Sequence, residues 1–217
     1  MAAMSSLKEA VRGQTTPREI DDLLRRHDKT LLRLAADSID HGLREGHALA
    51  VTVENYAPEL SDLGASFVTL KTGTSLRGCI GSALARRALV LDVATNAFAA
   101  AFNDSRFPPL EIHERRDLTI SVSVLSAPQD MGFSGEAELI SLLQPGIDGL
   151  IISDGAHSAL FLPTVWKSLP DPHAFLEHLK RKAGLSSDPC SDSLTAQRFT
   201  ATVVTLFADG IIAHSED

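Results

Sequence analysis

Cysteine, Trp, Tyr and long apolar runs are all scarce in this 217-residue chain. Its two cysteines, Cys79 and Cys190, exclude the dense pairing of a small secreted disulfide framework, so we expect reduced thiols in the cytoplasm. One Trp and one Tyr leave little for stacking on nucleic-acid bases. No apolar stretch has the length of a transmembrane helix or suits a signal peptide, which predicts a soluble intracellular protein.

Positive charge is also in deficit. Lys and Arg number 20 against 28 Asp and Glu, a formal net charge of -8, and this field opposes nonspecific binding to phosphates. A nucleic-acid partner is therefore disfavoured. The chain is 44% hydrophobic and 22% charged, which provides enough apolar material for a sizeable core in one domain or two closely packed subdomains.

The first helix signal is a capping box formed by Thr16 and Glu19. Apolar residues then recur at three- and four-residue intervals over residues 31–43, and Gly46 provides an end. The pattern leaves open whether this segment is one helix or two helices broken near His27.

Further helices are predicted over residues 88–104, which are rich in Ala, and over residues 170–185, which Gly184 closes. Residues 105–110 contain two consecutive prolines and predict a loop. Strands are predicted at 67–70, 76–80, 118–125, 149–153, 158–162 and 198–208. Helices mixed with hairpins, without regular βαβ alternation, predict an α+β fold with a largely antiparallel sheet and flanking helices.

The segment LRGCIGS, from Leu76 to Ser82, carries the strongest candidate site. Strand alternation places Arg77 and Cys79 on the same face, which favours an arginine beside a reactive thiol. Gly78 and Gly81 would let a ligand approach the main-chain amides closely. The same glycines equally suit a bulge against a packed helix, with Cys79 as a buried structural residue. The motif alone leaves both interpretations open.

Other candidates lie outside this motif. His113 and His157 are the loop-adjacent histidines that would serve as a base for a cysteine nucleophile. Asp104 and Arg106 precede the prolines of a stiff loop, where they either contribute to a site or satisfy local backbone groups and each other. No metal-ligand spacing occurs in the sequence, and Cys190 is interpreted as a loop thiol.

Together these motifs resemble the AMMECR domain family, whose prokaryotic members are called AmmeMemoRadiSam system protein A. The resemblance spans nearly the whole chain and predicts a single AMMECR-like domain over residues 1–217, with a core at about 27–208. Its landmarks are FVTL at 67–70, LRGCIGS at 76–82, NAFAAAFNDSRFPPL at 96–110, ISVSVLS at 120–126, DGLII at 148–152, LFLP at 160–163 and FLEHLKRKAGL at 175–185.

The resemblance implies larger and smaller subdomains that are closely packed and form a cleft, with LRGCIG at that cleft. Asp104, Arg106 and Phe107 match the family's D-P-R-F pattern, but Ser105 replaces its proline. Thr164 stands where the family usually has Gln, and SSDPCSDS at 186–193 replaces a typically aromatic segment.

Two functional hypotheses follow. In the first, the protein is a cysteine-centred enzyme or enzyme component in a modification pathway. Cys79 is its nucleophile or thiol carrier, and Arg77 stabilises the thiolate or an anionic substrate. The remaining ligand-binding candidates are Gly78, Ile80, Gly81, Asp104 and Arg106.

In the second hypothesis, the protein is a noncatalytic adaptor or ligand-binding module that uses the same cleft for a partner segment or small anion. The resemblance implies radical SAM and Memo-type partners, and the sequence assigns no cofactor.

Overall fold

The structure, a computed structural model, describes residues 16–186 and 193–215. These residues group into two compact units, a larger one within Met1–Ala127 and Thr202–Glu216 and a smaller one within Pro128–Ala201. Cys190 lies outside the described residues. The cleft between subdomains stays a prediction.

Helix α1 spans Pro17–Glu45 as one uninterrupted element. The Thr16 hydroxyl accepts a hydrogen bond from the Glu19 amide, and the Glu19 carboxylate accepts one from the Thr16 amide at 2.7 Å, so the predicted capping box is confirmed. Gly46 ends the helix with φ 76°, a left-handed conformation that suits glycine. The helix passes through His27 without a break.

The remaining elements follow in chain order. They are α2 (Pro58–Ser61), β1 (Leu63–Thr72), β2 (Ser75–Gly81), β3 (Arg87–Ala88), α3 (Leu89–Phe102), β4 (Leu118–Leu125), β5 (Gln129–Met131), α4 (Glu136–Leu142), β6 (Gly149–Asp154), β7 (His157–Phe161), α5 (Pro172–Ala183), β8 (Thr195–Phe199), β9 (Ala201–Leu206) and β10 (Ile212–Ser215). Short 3-10 helices lie at Val53–Asn55, Ile112–Asp117 and Pro163–Lys167. None of the described helices has the length and apolarity needed to span a bilayer.

The larger unit is built on a sheet of strand order β10-β9-β4-β1-β2, with β3 paired to β1. Alternate residues of β4 (Leu118, Ile120, Val122 and Val124) are buried in one core with apolar residues of α1 and α3. The predicted β1–β2 hairpin is confirmed, although β1 extends further than expected and leaves a turn of only Gly73 and Thr74. Strand β2 lies at the edge of the sheet.

The smaller unit has its own sheet, of order β5-β8-β6-β7, and its own core. Trp166 and Phe175 stack in that core with ring centroids 3.8 Å apart. The predicted β6–β7 pair is confirmed, with the turn at Gly155. The predicted helix α5 is confirmed, and Gly184 closes it at φ 75°.

One strand prediction is wrong. Residues 198–208 were expected to form a single late strand, but the strand is interrupted at Thr200. Before the break β8 pairs with β5 and β6, and after it β9 joins β4 and β10 in the other sheet. An alternating pattern does not encode a change of sheet, because both halves alternate equally well. The α+β class is confirmed, with two sheets in place of one, and the described registers are antiparallel.

Candidate functional site

The LRGCIG segment forms the edge strand β2, and its pairing with β1 contains a bulge at the arginine. Gly78 pairs with Leu70 and Leu76 pairs with Lys71, so Arg77 is an extra residue without a partner on β1. A bulge bends the strand locally and re-aims the side chain that it carries. Simple alternation therefore does not describe the direction of the Arg77 side chain.

The two glycines are positions of close packing. A Cβ added to Gly78 would lie 2.0 Å from the Ala100 carbonyl oxygen, which is main chain of α3. A Cβ on Gly81 would lie 2.3 Å from both Phe67 Cγ and the Ser66 carbonyl oxygen. Neither glycine has a positive φ. Glycine is required here because the helix and the neighbouring strand leave no space for a side chain.

Asp104 and Arg106, which we call the edge clamp, bind both main-chain polar groups of Cys79. The Cys79 amide donates to Asp104 Oδ2 at 2.8 Å, and Arg106 Nη2 donates to the Cys79 carbonyl at 3.2 Å. The clamp residues are also paired with each other, through Arg106 Nε to Asp104 Oδ1 at 2.9 Å and Arg106 Nη2 to Asp104 Oδ2 at 2.6 Å. The clamp therefore takes the place of a neighbouring strand along the exposed edge.

Electrostatics keep the clamp charged. The hydrogen bond from Arg106 holds the pKa of Asp104 well below its usual range, and the Cys79 amide adds to this effect against the opposing effect of burial. The pKa of Arg106 is raised, mainly by its hydrogen bond to Asp104, with smaller contributions that include the Cys79 side chain. Asp104 is buried, whereas the Arg106 side chain is 54% exposed.

The Cys79 thiol is partly exposed and lies opposite Thr69 in the β1–β2 register. Its Sγ is 3.3 Å from Thr69 Oγ1, a distance at which either atom can donate the hydrogen bond. The amide and carbonyl of Cys79 point toward the clamp. Because successive residues of a strand direct these groups to opposite sides, the amides and carbonyls of Gly78 and Ile80 point toward β1. The outward amide at this point of the strand is that of Cys79 itself.

Arg77 forms its ion pair with Glu114, so the expected Arg77–thiol pair is corrected. Arg77 Nε donates to Glu114 Oε1 at 2.7 Å and Nη2 donates to Oε2 at 2.9 Å. The bulge explains this difference, because it removes Arg77 from the regular alternation that the prediction assumed. The arginine that contacts Cys79 is Arg106.

The Arg77–Glu114 pair lowers the pKa of Glu114 to about 2, mainly through the hydrogen bond from Arg77. The same hydrogen bond raises the pKa of Arg77. Within the described ranges 16–186 and 193–215, Arg77 Nη1 is a buried polar atom with no hydrogen-bond partner. Buried donors in folded proteins are nearly always paired, so this nitrogen calls for an explanation.

Phe107 lies beside both guanidinium groups. Its ring centroid is 6.0 Å from Arg77 Cζ and 5.5 Å from Arg106 Cζ. The ring is partly exposed and belongs to the proline-containing loop that carries the clamp. These distances are consistent with weak cation–π contacts and join the two arginines into one site.

The two candidate bases have other partners in the structure. His113 is 73% exposed, and its Nδ1 lies 3.2 Å from a Glu111 carboxylate oxygen. His157, in the smaller unit, is hydrogen-bonded to the Ala183 carbonyl at 3.1 Å. Among the residues that the structure describes, no group of three or more His, Cys, Asp and Glu side chains is placed to hold a metal ion.

Thr69 and Glu114 are site residues that the sequence analysis did not identify. Glu114 carries a sequence signal only for a capping box, in which it accepts a hydrogen bond from the Glu111 amide. Its contact with Arg77 joins residues 37 positions apart. The two-residue turn by itself would place Gly78 opposite Thr69, and it is the bulge at Arg77 that brings Cys79 opposite Thr69.

Comparison with known proteins places the chain in a family. The AMMECR1 family model matches residues 32–204. The chain belongs to the AMMECR1 family, as the LRGCIG resemblance predicts. Relatives include a protein of Sulfolobus acidocaldarius, 37% identical over 176 residues that cover 78% of this chain and 76% of that protein. A protein of Thermococcus onnurineus is 39% identical over 184 residues, covering 80% and 87%.

A solved structure is also similar. The crystal structure of the uncharacterised protein PH0010 from Pyrococcus horikoshii has a TM-score of 0.79 and 32% sequence identity. The similarity covers 86% of this chain and 95% of that one. The fold and the family are thus established, and the function rests on the site geometry.

Proposed function

We propose that this protein is a cysteine-centred enzyme or enzyme component in which Cys79 Sγ is the reacting atom. The observation that carries the proposal is the edge clamp, which holds the Cys79 amide and carbonyl while the thiol stays partly exposed. Fixing the main chain of a reacting residue lowers the cost of bringing it into position. The clamp would satisfy the main chain of any residue at this position, and what favours a reacting role is that the side chain held there is a partly exposed thiol.

Arg106 and Thr69 are the groups that support a thiolate. Arg106 keeps more than half of its side chain exposed while contacting the Cys79 main chain, so its N–H groups lie near the thiol although Asp104 balances its charge. The Thr69 hydroxyl is able to donate to Sγ at 3.3 Å. In this mechanism the thiol proton leaves to solvent and Sγ forms a bond to an electrophilic substrate carbon, while the electron pair of the bond that breaks there moves to the attached oxygen or departs with a leaving group.

The cellular context is proposed on the resemblance. We place the protein in the cytoplasm, where its thiols stay reduced, and in a modification pathway with a radical SAM enzyme and a Memo-type protein. The family membership supports this context, and a pull-down with each tagged partner tests it. Loss of either interaction in the Cys79→Ser variant would connect the site to the partner.

A noncatalytic ligand-binding or adaptor module is the second candidate, and one observation favours it. The histidine in the same unit that was a candidate base, His113, is paired with Glu111 and widely exposed. A nucleophile without a positioned base depends on its own ionisation. In this alternative the same side chains bind a ligand or a partner segment without turnover.

The deciding experiment is alkylation of Cys79 at neutral pH, followed by peptide mass spectrometry with Cys190 as the internal comparison. We expect the folded protein to be labelled at Cys79 about tenfold faster than the same protein unfolded in urea, because the clamp holds this partly exposed residue in place with Arg106 N–H groups beside it. Arg106→Gln should remove most of this acceleration. Arg33→Gln is the matched control, since Arg33 is an exposed arginine on α1 paired only with Asp37. Labelling that begins only on unfolding would reject the proposal and favour the adaptor.

A further inference from the structure

The guanidinium group of Arg77 has one nitrogen that is not bonded to any of the residues that the structure describes. Both carboxylate oxygens of Glu114 are occupied, Oε1 by Arg77 Nε and Oε2 by Arg77 Nη2 and the Glu111 amide. The bidentate contact fixes the guanidinium plane and with it the direction of Nη1. This nitrogen is buried and has no partner among the described residues. A buried donor held in a fixed direction is suited to an acceptor that a ligand supplies.

Phe107 is the side chain positioned to admit that ligand. Its ring lies over the Arg77 guanidinium at 6.0 Å and over that of Arg106 at 5.5 Å, and it is partly exposed. A ligand that displaces the ring reaches Arg77 on the same strand segment as Cys79.

The charges at the site decide which ligand fits. Arg77 is balanced by Glu114 and Arg106 by Asp104, so neither ion pair carries a net charge. Glu111 adds a nearby negative charge that contributes to the raised pKa of Arg77. The whole chain carries a formal charge of -8. An anion would therefore gain little Coulomb energy and would meet repulsion from Glu111.

We propose that Arg77 Nη1 binds an uncharged carbonyl oxygen, as in an amide, ester or ketone, of a ligand carried beside Cys79. A carbonyl oxygen satisfies the donor without adding charge to a balanced site. The inference rests on the proposed function, since it names the substrate class for that reacting thiol. It replaces the small anion suggested by the sequence with a neutral acceptor.

The test compares two alkylating reagents of similar size, iodoacetamide and iodoacetate, at Cys79 in the Cys190→Ser protein. Both react with the thiolate, forming an S–C bond as iodide leaves with its electron pair, so the rate ratio cancels the thiolate fraction. The ratio thus reports charge preference independently of how reactive Cys79 is. We expect the ratio of the iodoacetamide rate to the iodoacetate rate at Cys79 to exceed the same ratio for an N-acetylated cysteine amide by about threefold or more. An equal or lower ratio overturns the proposal.

Two variants separate the local site from the general field of the protein. Glu114→Gln frees the charge of Arg77, so the preference for iodoacetamide should fall about threefold or more. Asp117→Asn removes one negative charge from the same 3-10 helix without touching Arg77, and it should change the ratio little. Equal changes in the two variants would overturn the assignment to Arg77.

A second measurement does not depend on the thiol. Acetamide and acetate are titrated separately against the wild-type protein while the Arg77 Nε–Hε signal is followed by NMR. A shift with acetamide that exceeds the shift with acetate supports the carbonyl site, even if Cys79 proves unreactive and the proposed function fails. A larger shift with acetate, or no shift with either, overturns the carbonyl site.

Discussion

Two polar clusters in the larger unit use the same residue types to different ends. In the first, the buried Asp92 carboxylate accepts hydrogen bonds from the Ser66 amide at 2.9 Å and from the Ser66 hydroxyl at 2.7 Å. It also accepts one from the Asn96 side chain at 2.9 Å and one from Arg87 at 2.8 Å. In the second, at Cys79, Arg77 Nη1 has no hydrogen-bond partner within the described part of the chain. A cluster with every buried donor matched stabilises the fold, whereas one with an unmatched donor is suited to a ligand.

The positions of the clusters in the sheet explain this difference. Asp92 joins α3 to β1, a strand paired on both sides, so its polar groups have to be satisfied within the protein. Cys79 is on β2, an edge strand with one side open to a covering loop or a ligand. The comparison predicts large effects on stability at Asp92 and mainly chemical effects at Cys79.

Asp92→Ala should have the largest effect. It leaves the Ser66 amide and hydroxyl without their acceptor in a buried site and removes the partner of Arg87, so we expect the free energy of unfolding to fall by about 4 kcal/mol. Urea denaturation measures this change. Asp92→Asn keeps one acceptor oxygen and should cost less. A loss below about 1 kcal/mol would show that the cluster is not what holds α3 to β1.

Gly78→Ala tests the packed side of the same edge strand. The added Cβ would meet the Ala100 carbonyl at 2.0 Å, and because that atom is main chain, α3 has to shift. We expect a loss of about 3 kcal/mol in thermal or urea unfolding. Gly132→Ala is the matched control, because a Cβ there meets nothing within 4 Å. Equal stability of the two variants would contradict the close approach of α3 to β2.

Glu114→Gln tests the ion pair at the site through its dependence on pH. The pKa of Glu114 is about 2 in the folded protein against 4.5 for the free group, so its contribution is complete above pH 4.5 and is lost as pH falls toward 2. We expect the variant to be about 2 kcal/mol less stable at neutral pH and equal to wild type near pH 2.

Urea unfolding at the two pH values measures that difference. Glu138→Gln is the control, since the pKa of Glu138 is also lowered but its hydrogen bonds to Ser134 are exposed. A Glu114→Gln deficit that persists unchanged at low pH would mean that packing, and not charge, stabilises the Arg77 contact.

Cys79→Ser should have the smallest effect on stability, within about 1 kcal/mol. The clamp holds the main chain of residue 79 and not its side chain, and a serine hydroxyl is still able to bond to Thr69. Loss of pathway activity in this stable variant would then be chemical. Loss of several kcal/mol would give Cys79 a role in stability, as Asp92 has.

The sequence predicted the local elements of the site better than their contacts. The hairpin and the loop were predicted because proline, glycine and β-rich runs act within a few residues. The Arg77–thiol pair failed because a bulge depends on the partner strand, which alternation along one strand does not describe. Glu114 was missed because its role at the site lies 37 residues from Arg77.

The LRGCIG motif alone is equally compatible with two roles for its glycines, close packing against a helix and approach of a ligand to the main chain. The Ala100 carbonyl 2.0 Å from a Gly78 Cβ accounts for that glycine by packing, since this contact joins β2 to the following helix. Asp104 and Arg106 were assigned either to a site or to local turn bonds. In the structure they bond to each other and also to the Cys79 main chain.

By itself the sequence determined the capped helix α1, the buried helix α3, the β1–β2 hairpin and the family, because capping, periodicity and motif order are properties of nearby residues. Only the tertiary structure decided that β2 is an edge strand and that Asp104 and Arg106 clamp it. It also decided that Arg77 pairs with Glu114 and keeps one buried nitrogen that no described residue binds. Those outcomes depend on which distant groups the folded chain brings within hydrogen-bond distance.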